Sequence, residues 1–498
     1  MSETRLVPKL PITESFEAEY LEYNHILPLE ISDACLRVAV AGEPAPEVLE
    51  DLEVSFGARL ELLPVSEQEL VDAIRRTFAA SESVIELVKD LDAELSSAPD
   101  SAGDGPTDAR DLANQPPVVR FVNLLIREAY DARASDIHLE STRDGLRARF
   151  RLDGVLTDVP NPPRGLQAAI VSRIKLLAEL DIAERRAPQD GRIRVRLEER
   201  ELDLRVSTVP TLYGESVVLR LLDRGGRPVA LDELGMDAET LARFQRLAEK
   251  PHGILLATGP TGSGKTTTLY AALGLRQRMA EKIITVEDPV EYHLEHVTQV
   301  PVNVKAGMTF GSALRSILRQ DPDVLMVGEM RDAETAGIAV QAAMTGHLVF
   351  STLHTNDAAS AITRLVDLKV EPYLIAATVE GLLAQRLVRR ICAACRERYR
   401  PDAGAVALLA MHPVGTVQLE RGRGCPACRN TGYRGRTGIF ELLAVTEEVK
   451  QAILKLTPVT GMRALAREQG MVTLREDGWR KVQAGITTVE EVLRVAEA

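Results

Sequence analysis

Gly259-Pro260-Thr261-Gly262-Ser263-Gly264-Lys265-Thr266 is a complete G-x-x-x-x-G-K-[ST] run. Its glycines let the backbone curl until several N–H groups converge on one point, the arrangement that holds phosphate oxygens. Lys265 then reaches the β/γ oxygens of a nucleotide such as ATP, and Thr266 offers a hydroxyl to Mg²⁺. The flanking residues supply the required context. Ile254-Leu255-Leu256-Ala257-Thr258 reads as a parallel strand covered on both faces, and Leu269, Ala272 and Leu273 mark the inner face of a following helix.

Three later strands each run into a polar box. Lys282–Val286 leads into Glu287-Asp288-Pro289-Val290-Glu291, Asp323–Val327 into Gly328-Glu329-Met330-Arg331-Asp332, and Leu348–Phe350 into Ser351-Thr352-Leu353-His354-Thr355-Asn356-Asp357. In open α/β sheets the site lies beyond the carboxyl ends of the strands, so the boxes are expected around the phosphates. Hydrolysis of ATP needs metal coordination, an oriented water and a group that senses the γ-phosphate. Glu287 is assigned to the water, Glu329 to Mg²⁺, directly or through water, and the two roles are exchangeable at this stage. His354, and His347 just before its strand, are candidate sensors. The aspartate of the second strand, Asp323, stands at its beginning rather than its end, unlike the general pattern of such sites.

Cys392-Ala393-Ala394-Cys395 and Cys425-Pro426-Ala427-Cys428 form two C-x₂-C pairs. Each presents two sulfurs from a tight turn, and together they suit a closed tetrahedral S₄ site for structural Zn²⁺. A redox role is the alternative, though two such pairs in one segment favour a metal. Cys35 reads as a core residue.

The elements that must position these groups fill a chain of 498 residues, enough for about three domains. Hydrophobic residues make up 45% and charged residues 27%, an ordinary globular balance. The longest apolar run, Ala405–Met411, is far short of the roughly 20 residues that span a bilayer. The first residues lack the pattern of a signal peptide, so the chain is expected in the cytoplasm. Of the net charge of −13, residues 1–115 carry −17 and the remainder +4. That distribution argues against a nucleic-acid translocase and against nucleic acid as a partner.

The divisions expected are a docking domain at 1–92, a linker at 93–115 centred on the Pro/Gly/Ser-rich stretch Glu94–Thr107, and a strand-rich α+β domain at 116–232. An α/β ATPase domain follows at 233–390, then a tetracysteine module at 391–435 and a helical region at 436–498. In the strand-rich domain Pro116-Pro117 opens a helix whose inner face is Val118, Phe121, Val122, Leu125 and Ala129. Leu146–Leu152, Arg192–Leu197 and Leu202–Val206 alternate charged and apolar side chains, so this sheet buries one face and turns an arginine-rich face outward.

Taken together, Ala134-Ser135-Asp136-Ile137-His138-Leu139-Glu140, the Gly259–Thr266 loop, the Glu287–Glu291 box, Asp321–Asp332, Gly346–Asp357 and the paired cysteines resemble the secretion ATPases of type II secretion and type IV pilus systems, over about residues 116–498. The resemblance implies a RecA-like P-loop core preceded by a PAS-like α+β domain, with nucleotide bound between them in a homohexamer. It implies that Arg151, Arg205 and Arg220 close onto the phosphates. It further implies that the N-terminal domain docks on an inner-membrane platform protein, making the ATPase peripheral to the membrane through that partner. A type II secretion motor that assembles a pseudopilus is the expected function, and a pilus-extension motor is the rival.

Overall fold

Strand β10 (Gly253–Thr258) is buried along its whole length, and a seven-stranded sheet is built outward from it. In chain order its partners are β11 (Ile283–Glu287), β12 (Val297–Pro301), β13 (Val324–Val327), β14 (Leu348–Leu353), β15 (Val379–Ile391) and β18 (Tyr433–Ala444), arranged β12-β11-β13-β14-β10-β15-β18. The first six run parallel and β18 is antiparallel to β15. Alternation of side chains sorts each strand onto two faces. Ile254, Leu256, Ile284, Val286, Leu325, Val327 and Val349 enter one core, while Leu255, Ala257, Ile283, Val324, Met326, Leu348 and Phe350 enter the other. Continuous apolar strands are what a sheet covered on both faces requires.

This computed structural model describes residues 18–32, 35–42, 44–71, 73–74, 88, 109–197, 200–223, 229–276, 281–410 and 418–496. The expected linker at Glu94–Thr107 lies outside the described residues. The chain divides into two compact units. One comprises Met1–Leu152, Leu156–Arg194 and Leu204–Leu221, and the other Asp153–Val155, Val195–Asp203 and Leu222–Ala498.

In the first unit, strands β1 (Ile26–Ser32), β2 (Cys35–Val40) and β3 (Arg59–Pro64) form a small sheet around a core that includes Leu21, Ile26, Leu36, Val38, Leu52 and Ile74. Cys35 is half-buried at the start of β2 rather than in that core. A second sheet, most of whose residues belong to this unit, has the order β6-β5-β4-β9-β8-β7. Its strands are β4 (Asp136–Thr142), β5 (Gly145–Leu152), β6 (Val155–Asp158), β7 (Gln189–Leu197), β8 (Arg200–Thr211) and β9 (Gly214–Asp223). Helix Pro116–Asp131 buries the expected Val118, Phe121, Val122, Leu125 and Ala129. Along β5, Leu146, Ala148 and Phe150 are buried while Arg147 is exposed and Arg149 and Arg151 are half-buried. The alternation breaks at Asp203, which is buried between Leu202 and Leu204.

In the second unit the cysteine segment is an insertion between β15 and β18, with its own two strands β16 (Arg396–Tyr399) and β17 (Leu419–Gly422) paired antiparallel. Because β18 returns to the seven-stranded sheet, the helical region begins at Glu447 and not at 436; residues 436–444 are strand. The last helix, Val489–Ala496, is fastened to β15 through Glu491. That carboxylate accepts the backbone N–H of Arg389 at 3.1 Å and its Nη2 at 2.6 Å, and Arg494 Nη2 at 2.9 Å. Burial works against its ionisation, but the bonds from Arg389 and Arg494 prevail and hold the carboxyl down to about 2.

A folded-state value below the unfolded one means that Glu491 stabilises fully above the unfolded pKa, near 4.3, and loses that contribution as pH falls toward 2. The full contribution is roughly 3 kcal/mol. Between pH 5 and pH 3 the melting temperature of the wild-type chain is therefore expected to fall more steeply than that of Glu491→Gln, as thermal unfolding followed by circular dichroism will show.

Candidate nucleotide and metal sites

The loop that follows β10 can close only with glycine at two points. At Gly264, where φ is +87°, a Cβ would lie 2.8 Å from Gln385 Nε2, and at Gly259 it would lie 2.6 Å from the Gln385 carbonyl oxygen. The loop ends at the N-terminus of helix Lys265–Arg276. Lys265 is buried, with Nζ donating to the carbonyls of Gly259 at 2.7 Å and Pro260 at 3.0 Å. Burial pushes its ammonium down to about 8; the charge of Glu329 resists that fall and Arg386 adds to it. Ser263 Oγ is buried with no hydrogen-bond partner among the described residues. A curled backbone at a helix N-terminus, a desolvated cation and an unpaired hydroxyl fit the phosphates of a nucleotide.

Parallel pairing brings the polar boxes to the same edge of the sheet. Glu329 Oε1 lies 2.5 Å from Arg331 Nη2, and its Oε2 lies 3.5 Å from His354 Nε2. Burial and the nearby Lys265 charge lower the pKa of His354, against the pull of Glu329, which favours the neutral ring. Glu287 is more deeply set: it is 2% exposed and accepts hydrogen bonds from the Tyr270 hydroxyl, from Thr285 Oγ1 at 2.5 Å and from Gln299 Nε2 at 3.2 Å.

His347 does not join this group. It precedes β14 and is paired through its carbonyl with Gly253 N at 3.1 Å, at the amino edge of the sheet. The six residues of β14 separate it from the carboxyl edge by roughly 20 Å. Its Nδ1 instead donates to the Ala342 carbonyl at 2.9 Å, closing the end of the preceding helix. Asp323 also lies at that far edge, where its carboxylate accepts the Lys282 N–H at 2.7 Å.

Within the first unit, Asp136 on β4 gathers two of the three predicted arginines. Arg220 Nε lies 3.0 Å from its Oδ1 and Arg151 Nε 3.5 Å from its Oδ2, while Asp136 itself is 5% exposed. Arg205 lies in β8, half-buried.

Sequence reasoning missed Tyr270, Gln299 and Arg386. Arg386 is buried in β15, beside the phosphate loop, and donates to Asn356 O at 3.0 Å and to Asn356 Oδ1 at 3.2 Å, bracing the segment that carries His354. The one available signal was polarity inside apolar runs: Tyr270 stands four residues after Thr266, and Gln385-Arg386 interrupts Leu382–Val388.

The four cysteines converge. Their sulfurs lie within 4.8 Å of one another, with Cys392–Cys425 at 3.9 Å, Cys395–Cys428 at 3.8 Å and Cys425–Cys428 at 3.7 Å. A tetrahedral zinc site with Zn–S bonds of about 2.3 Å has sulfur–sulfur edges of about 3.8 Å, so the cluster is compatible with zinc.

Residues 111–494 match the family described as Type II/IV secretion system protein. The chain is 46% identical over 492 residues to type II secretion system protein E of Xanthomonas campestris pv. campestris, covering 98% of this chain and 86% of that one. It is 49% identical over 383 residues to type II secretion system ATPase E of Vibrio cholerae, covering 76% of each. Among solved structures it resembles the pilus retraction motor PilT with bound ADP, at a TM-score of 0.53 and 26% identity, over 75% of this chain and 96% of that one.

Because Lys265 titrates near 8 before any phosphate arrives, nucleotide affinity is expected to fall as pH rises above 8, by up to about tenfold per unit. Lys265→Met should bind weakly with a flat profile. Titration of a fluorescent ATP analogue from pH 7 to pH 9.5 measures both.

Proposed function

The chain belongs to the type II/IV secretion system protein family, and on that premise we propose that it is the ATPase motor of a type II secretion system, spending ATP hydrolysis on pseudopilus assembly and so on protein export. The observation that carries the reading is the convergence of buried Lys265, half-buried Glu329 and exposed His354 at one sheet edge, beside a phosphate loop whose Ser263 hydroxyl has no hydrogen-bond partner among the described residues. The relatives named as type II secretion proteins, similar over most of the chain, support the pathway.

In this reading the backbone of Gly259–Thr266 cradles the phosphates, and Lys265 exchanges its carbonyl partners for phosphate oxygens. Thr266 and Glu329 would hold Mg²⁺, which when bound supplies charge that offsets the oxygens of the leaving phosphate. Glu287 orients the attacking water and accepts its proton, and neutral His354 donates toward the γ-phosphate. Arg151, Arg205 and Arg220 close from the strand-rich domain onto the phosphates, and an arginine so placed can contribute about 10³–10⁵-fold. Their arrival couples domain rotation to hydrolysis within a homohexamer. Residues 1–92, acidic in sequence and with a core of their own among the described residues, dock on an inner-membrane platform protein, which would set the ring at the cytoplasmic face.

Two carboxylates with different roles should fail differently. Glu287→Gln is expected to lower turnover about 10²–10⁴-fold with ATP affinity retained. Glu329→Gln should instead raise the Mg²⁺ concentration needed for half-maximal activity. Steady-state phosphate release, with equilibrium binding measured alongside, separates them; reversed behaviour exchanges the roles, and wild-type turnover in both ends the assignment.

The cysteine cluster is read as a structural zinc site. One zinc per chain is expected by mass spectrometry of digested protein, falling to near zero in Cys395→Ser/Cys428→Ser. That loss should unfold the β16–β17 insertion, as hydrogen exchange will report.

A further inference from the structure

We infer that Tyr270 is a positioning residue for the reaction: its hydroxyl holds the Glu287 carboxylate in the orientation that leaves one acceptor site for water. The inference rests on the role given to Glu287 above and extends it to a residue on a different element.

Tyr270 follows Thr266 by four residues on helix Lys265–Arg276, so the two share a face one turn apart. It is 1% exposed, and its ring meets that of Tyr292 edge-on, with centroids 4.7 Å apart and planes at 85°. Its hydroxyl donates to Glu287 Oε2. The other oxygen, Oε1, accepts from Thr285 and from Gln299. A carboxylate has about four acceptor sites, and three are occupied, so the remaining one belongs to Oε2. Gln299 locks the arrangement from β12: its Nε2 also donates to the Tyr292 carbonyl at 3.1 Å, and its Oε1 accepts the Leu294 N–H at 2.8 Å.

Among the described residues, the charged and titratable groups around Glu287 are Tyr270 from the helix and Glu291 and Tyr292 from the segment that follows β11. Burial, then the charge of Glu287, raises the Tyr270 phenol far above its usual range, so it stays a donor at every working pH. Taking a hydrogen-bond donor from a carboxylate disfavours its charged form, and a protonated group cannot serve as base. A tyrosine present for packing alone would lose nothing on becoming phenylalanine.

The test uses the full chain and follows kcat and KM for ATP from about pH 5.5 to 9. The variants are Tyr270→Phe, Glu287→Gln, the double variant and Lys265→Ala. Tyr270→Phe is expected to lower kcat about tenfold or more, as for a lost hydrogen bond to a charged group, with KM changed less than about twofold. Its acidic limb should move to higher pH, and the double variant should be no slower than Glu287→Gln alone. A Tyr270→Phe profile that superposes on wild type, or effects that multiply in the double variant, overturns the inference while the ATPase reading stands. Wild-type turnover in Lys265→Ala overturns that reading and the inference with it. If Tyr270→Phe does not fold, Gln299→Leu removes another donor from the same carboxylate; it should move the limb in the same direction, and an unmoved limb overturns the inference.

Discussion

Parallel pairing of β10 with β14 and β15 is the constraint on which the ATPase unit depends. Thr258 pairs with Leu353 on one side and Ala384 on the other, so the loop after β10, the segment carrying His354 and the Gln385-Arg386 pair emerge together. Val327 pairs with Ser351 and Val286 with Val327, which adds Glu329 and Glu287 to the same edge. A slip of one residue in any of these strands would turn its apolar side chains from one core to the other, so the register that buries the sheet also aligns the polar boxes.

Burial then decides how those polar groups behave. The charge of Lys265 is disfavoured in the desolvated loop, and the nearby carboxylate of Glu329 supports it. Arg386, packed behind the loop, loses solvation as well and is held by Asn356 and by the charges of Glu441 and Asp357. Each of these interactions is stronger in the low-dielectric interior than at a surface, and none of the groups could be left there unpaired. Glu287 follows the same rule through three neutral donors rather than a cation.

The long β15–β18 pair serves two ends of the unit. Along Gly381–Arg389 it completes the ATPase sheet, and beyond Ile391 it opens into the segment that carries the four sulfurs. Backbone bonds reinforce that turn: Cys392 N donates to the Gly432 carbonyl at 2.9 Å, and Gly432 N reaches Cys428 Sγ at 3.2 Å. The helical region is fixed to the same strands, with Thr487 Oγ1 donating to the Arg389 carbonyl at 2.8 Å. The cysteine turn, the helical region and the strand next to the phosphate loop thus share one pair of strands.

Much of this was legible in the sequence because its signals are local. Glycine spacing specifies the loop at Gly259–Thr266, continuous apolar runs specify strands covered on both faces, and C-x₂-C turns present sulfurs whatever lies between them. The alternation in Leu146–Leu152 likewise gave its buried face correctly. What escaped depends on contacts distant along the chain. His347 and His354 are seven residues apart and both stand as candidates in the sequence, yet opposite ends of one strand separate them, and the strand's direction within the sheet says which end meets the phosphates. The strand at 436–444 was hidden because its partner, β15, lies more than forty residues earlier. Tyr270 and Gln299 carry no motif at all; their importance arises where a helix and two neighbouring strands close around one carboxylate. Spacing determined which chemistry the chain carries, and tertiary packing decided which side chains share it, because burial and strand direction are properties of the assembled sheet.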